Sequence, residues 1–143
     1  MSFLLHNIAE INIILSASMF GVIWLVQLVH YPSFLYIEKE KFEEFEKFHM
    51  FRISLVVVPL MIFELLTAVL LQLKISEQIV MIHTALVIFI WVYTFLVSSK
   101  IHGELTKGFD SGLIKKLVTS NWPRTIAWSL KLIFAYMVYI GGA

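Results

Sequence analysis

An all-α fold, a membrane-spanning four-helix bundle formed by a single domain of residues 1–143, is the class this sequence predicts, and three observations carry it. Four apolar runs, at about 8–29, 53–73, 79–99 and 123–140, occupy most of the chain. At ~1.5 Å rise per residue, a hydrocarbon core ~30 Å thick takes about 20 residues of helix, so each run has the reach to cross. Hydrophobic residues make up 59% of the sequence and mean hydropathy is +0.86. The connections between runs hold 23, 5 and 23 residues, too few for a separate globular domain.

The first run is interrupted by Glu10 and Asn12 and lacks the basic segment of a secretory signal, so it reads as a retained span. It leaves the membrane through His30, Tyr31 and Pro32, where the proline disfavours helix at Tyr31 and predicts a stop. In the following connection Phe42, Phe45, His49 and Arg52 recur at helical spacing. They predict an amphipathic interfacial helix running into the second span, with the Glu and Lys residues on a solvated face. Pro59, inside the second run, removes a backbone donor five residues before Glu64.

The second long connection predicts a short helix capped by Asp110. Its Leu113, Ile114, Leu117 and Val118 would lie against lipid headgroups, as the second of two interfacial amphipathic segments. Asn121 reads as the cap of the fourth span, with Pro123 in its first turn.

Charge sets the expected orientation. Lys39, Lys41, Lys47, Arg52, Lys100, Lys107, Lys115, Lys116 and Arg124 belong to the two long connections and their helix ends. The opposite side holds only Lys74. The positive-inside rule then puts both long connections in the cytoplasm and both termini outside the cell (inner) membrane. A net charge of +1 offers no argument for nucleic acid, and a chain without cysteine has neither disulfides nor thiolate chemistry. The partners expected are membrane lipids, a small-molecule ligand and a second copy of the chain.

Projection at about 100° per residue gives each span one polar stripe. The stripes are Asn12, Ser16, Gln27 and His30; Glu64 and Thr67 with His49; Thr84, Trp91, Thr94, Ser98 and His102; and Arg124, Trp128, Lys131 and Tyr139. Facing inward, they make a partly hydrophilic interior. Glu64 and Lys131 have opposite signs and demand partners, because a charge near the bilayer centre costs ~2.5–3.5 kcal/mol even on lenient scales.

His30, His49 and His102 all fall at the cytoplasmic helix ends, where imidazoles could hold a transition metal or serve as acid and base. No chemical role is assigned to His6 or His83. The spacing from His30 to His49 to Arg52 repeats from His102 to Asn121 to Arg124, which raises an ancient duplication of two hairpins.

These residues, with Gly103-Glu104-Leu105, Gly108-Phe109-Asp110 and Trp122-Pro123 beside Thr125, occur in an order that resembles a family of small, largely uncharacterised bacterial four-helix integral membrane proteins. The resemblance runs nearly end to end and implies fold and membrane location. In size and span count the chain is similar, more loosely, to anthrone-oxygenase-like membrane proteins.

The functional expectation is a pocket opening to the cytoplasm, lined by His30, His49, Arg52, Glu64, His102, Asn121, Arg124 and Lys131. Its ligand would be small, anionic or quinone-like. The alternatives are a b-type haem protein, a small transporter with Glu64 and Lys131 on a proton path, and an assembly subunit without catalysis.

Overall fold

The computed structural model describes residues 3–141, and every regular element among them is helical. Helices α1 (Phe3–Tyr36), α2 (Lys39–Lys74) and α3 (Gln78–Leu105) are long and apolar enough to cross a membrane. Helix α4 spans Ser111–Ser120 and α5 spans Trp122–Gly141. The last is long enough to cross but carries Arg124 and Lys131, and it is not among those three. Around the bundle, α1 packs on α2 and α5, and α3 closes the ring by packing on the same two helices.

Polarity is reversed relative to a water-soluble bundle. Asn12, Ser16, Gln27, Glu64, His83, Thr125 and Lys131 are buried, while Leu66, Phe63, Ile88, Phe95 and Ile133 are exposed on the flanks. Such an arrangement is favourable where the surrounding medium is hydrocarbon, because only the interior can satisfy polar groups there.

The chain does not stop at Pro32. The backbone widens into a π-helical turn over Val26–His30, in which the Tyr31 N–H bonds to the Val26 carbonyl. Tyr31 itself is helical, with φ −64° and ψ −42°. A π turn skips one register position, which makes room for the proline ring and lets helix resume. A second π turn covers Thr94–Ser98 in α3. Both widened turns border the same region of the bundle interior, the region that holds His30, His49 and His102.

The first connection runs into the second span as expected, and the second packs differently. From Phe42 onward the first is continuous helix with the second span, one rod through Lys74. Helix α4 is capped as expected, Asp110 Oδ1 accepting from Gly112 N at 2.7 Å and Leu113 N at 2.9 Å. Its apolar face, however, meets protein rather than headgroups. Ile114 and Leu117 join Phe34, Phe42, Ile101 and Leu105 in a buried roof over that end of the bundle. Below it, Met19, Ile23, Met61, Ile90, Ala127 and Trp128 fill the middle, and Ala9, Leu71, Val80 and Val138 the opposite end.

Candidate functional site

Four helices deliver polar side chains to one place beneath the roof. The π turn of α1 and the residue after it bring His30 and Tyr31, α2 brings Glu46 and His49, α3 brings Ser98 and His102, and α5 brings Arg124. Glu46 Oε1 lies 2.5 Å from His102 Nδ1, and the opposite ring nitrogen, Nε2, lies 3.0 Å from the Tyr31 hydroxyl. With a carboxylate on Nδ1, the imidazole carries its proton there, and Nε2 accepts from the phenol. The Arg124 guanidinium lies beside the same hydroxyl.

Arg124 is 5% exposed, yet no carboxylate pairs with it among the described residues. Its NH1 group donates to Ser98 Oγ at 3.1 Å and to Asn121 Oδ1 at 3.0 Å, and Nε has no partner. Asn121 is therefore not the helix cap that its position suggests. Its side chain is spent on Arg124, on Gln27 Oε1 at 2.9 Å and on Thr125, which fixes the guanidinium from behind.

His30 Nε2 and His49 Nδ1 lie 2.8 Å apart, leaving His49 Nε2 buried without a partner. These two rings and Tyr31 lie beyond the apolar runs at 8–29 and 53–73. Burial lowers the His49 pKa to about 3, with His102 and His30 pushing the same way, so its ring is neutral. Burial also lowers His30, against the opposing pull of Glu46. The Tyr31 phenol is pushed up by burial, which outweighs the stabilising Arg124 charge.

A cavity of about 170 Å³ opens onto this cluster. Tyr31, His49, His102 and Arg124 line its polar end, and Met19, Val57 and Met61 are among its apolar walls. Its exposed lining residues are Val58 on α2, one residue from Pro59, and Ser99 on α3. An apolar cavity of ~150 Å³ is enough to hold a benzene ring. This space therefore admits one ring-sized head, with anything longer trailing out between the helices. A shallower depression of about 250 Å³ outside it is lined by His30, Phe45, Phe48, His49, Arg52 and Ile53.

Of the eight residues expected to share one pocket, His49, His102 and Arg124 line the cavity. Asn121 stands behind Arg124. His30 and Arg52 belong to the outer depression, with Arg52 exposed and over the Phe48 ring at 5.3 Å. The exposure of Arg52 and the burial of Arg124 show that the repeated spacing does not place equivalent residues in equivalent surroundings.

Glu64 and Lys131 lie deeper and line neither space. They form a buried ion pair, with Lys131 Nζ also donating to Ser16 Oγ at 2.8 Å. Ser16 donates to the Asn12 carbonyl, and Asn12 donates to Thr67 Oγ1 at 2.7 Å, so this network ties α5 to α1 and α2. His83 is fully buried and neither ring nitrogen has a partner among the described residues, whereas the His6 ring packs tilted against Tyr139.

No group of three His, Cys, Asp or Glu residues among those described is placed to hold a metal ion. In His30, His49 and His102 the ring nitrogens are largely turned to one another, to Glu46 and to Tyr31. The same bonds and the ring-sized cavity do not fit a porphyrin with axial imidazoles.

Two members of the cluster escaped the sequence reading. The sequence predicts a helix stop at Tyr31 and a solvated place for Glu46; Glu46 is fully buried. Its signal was the spacing of Phe42, Glu46 and His49, which puts all three on one face of α2. No family model, curated protein or solved structure matches this chain.

Proposed function

We propose that this chain is a four-span membrane protein that binds a membrane-dissolved amphipathic molecule. Its ligand has a ring-sized head bearing an anionic or strongly polar oxygen and an apolar body. The observation that carries the reading is Arg124, a buried cation with no carboxylate partner among the described residues and a free Nε, at the polar end of an otherwise apolar cavity. A buried charge is stable only with a partner, and an anionic or polar oxygen supplies one. The exposed lining residues, Val58 and Ser99, lie on α2 and α3, which supports entry between these helices from the lipid side.

In this reading α5 is the fourth span, because its Lys131 is neutralised by Glu64 and its Arg124 lies at the helix end. The positive-inside rule places the histidine end in the cytoplasm and both termini outside a bacterial inner membrane. The family resemblance supports the same location.

Native mass spectrometry of protein extracted in mild detergent, with elemental analysis, tests the proposal. The expected result is a co-extracted amphipathic molecule on the wild type that is depleted in Arg124→Gln. Equal occupancy in both, or bare protein that takes up no long-chain phenol when one is added, rejects it.

A further inference from the structure

We infer that Glu46, His102 and Tyr31 form a proton relay that ionises a hydroxyl group on a molecule bound in the cavity, with Arg124 receiving the resulting oxyanion. The inference rests on the cavity being a binding site and adds a chemical step to it.

Three observations support the relay. The carboxylate, imidazole and phenol form one unbroken line, with separations of 2.5 Å and 3.0 Å. Its last member, Tyr31, lines the cavity, as do His102 and Arg124. The carboxylate is shielded from solvent, since Glu46 is 0% exposed. A structural hydrogen bond needs no such terminus on a cavity, and a solvated carboxylate would not orient an imidazole this tightly.

The step balances without an oxidant or reductant. A hydroxyl on the bound molecule donates its proton to the Tyr31 oxygen as the Tyr31 proton passes to His102 Nε2. The O–H bond of the bound molecule breaks, and a new N–H bond forms on His102. His102 becomes an imidazolium held by the Glu46 carboxylate, while the oxyanion accepts from Tyr31 and faces Arg124. The charged and titratable groups around the line are His30 and Tyr31 from α1, Glu46 and His49 from α2, His102 from α3 and Arg124 from α5. The molecule taken is therefore a phenol, quinol or enol with an apolar body. Tyr31 is the catalytic residue, and Glu46 and His102 act through it.

An alkylated para-nitrophenol in lipid nanodiscs tests this, because its phenolate is coloured and its phenol is not. In the wild type the proton stays inside the complex. The bound probe should then be ionised, to an extent that hardly changes with pH, across about one unit below its midpoint in protein-free nanodiscs. Tyr31→Phe and His102→Gln should bind the probe but leave it colourless over that interval. Glu46→Gln should restore an ordinary sigmoidal titration. Circular dichroism establishes that each variant is folded, and two independent relay variants protect the test if one is not. Bound probe that stays ionised in both Tyr31→Phe and His102→Gln would show that Arg124 alone stabilises the phenolate, overturning the relay but not the binding site. Bound probe that is never ionised in the wild type also overturns the relay alone. Failure of the wild type to bind the probe saturably overturns the cavity reading and the relay together.

Discussion

Glu46 and His102, 56 positions apart in the chain, meet at 2.5 Å beneath the buried roof of the bundle. The contact fastens the first turns of α2 to the end of α3 and sets which nitrogen of His102 faces the cavity. Glu46→Ala should lower stability by about 1.5–3 kcal/mol, the range for a hydrogen bond to a charged group. Glu46→Gln, which still offers an acceptor, should lose less. Thermal unfolding in one detergent, followed by circular dichroism, checks the order; equal losses would contradict it.

The deeper ion pair makes a different prediction. Lys131 and Glu64 are both fully buried, so removing either one strands the other. Lys131→Met or Glu64→Leu alone should cost about 3–5 kcal/mol, whereas the double replacement should regain most of it. A double-mutant cycle on unfolding in mixed micelles measures the coupling. Additive losses would show that the pair does not interact.

The buried histidines make stability depend on pH. The folded chain holds His49 near 3, against an ordinary imidazole value of 6.5. Between those values the unfolded chain takes up a proton that the folded chain refuses. The contribution of neutral His49 is therefore complete above 6.5 and drains away as the pH falls toward 3. The loss is at most about 1.4 kcal/mol per pH unit. His49→Asn should flatten the fall in melting temperature on acidification, and a slope identical to wild type would count against this assignment.

Access can be tested apart from chemistry. Val58 is exposed at the cavity mouth and touches none of the polar cluster's hydrogen bonds. Val58→Trp should obstruct entry while leaving folding intact, slowing uptake of a long-chain phenol from the bilayer by about tenfold or more, the effect of ~1.4 kcal/mol on a barrier. Stopped-flow mixing with phenol-loaded vesicles would show it. Unchanged uptake would place the entrance elsewhere.

Much of this architecture was legible in the chain because hydropathy and the 3.6-residue period act locally. The stripes through Asn12, Glu64, His102 and Lys131 turn inward because hydrocarbon leaves them nowhere else to go. What was not legible depended on register and on neighbours. The π turn at Val26–His30 shifts the phase of α1, so Tyr31 lands in the interior instead of at a helix end. The amphipathic pattern of α4 reports an apolar face but not whether lipid or protein covers it; Phe34 and Leu105 do. Glu46 stands among the exposed Glu43, Glu44 and Lys47, and its charge hides the helical spacing it shares with the buried Phe42 and His49.

The central claim is that a cavity open to lipid presents the unpaired charge of Arg124 to an amphipathic guest. Equilibrium titration of a long-chain phenol into nanodiscs containing wild type or Arg124→Gln tests it most directly. Saturable wild-type binding, weakened at least about tenfold by the substitution, is the predicted result, corresponding to ~1.4 kcal/mol. Equal affinities, or no saturable component above empty nanodiscs, would contradict it.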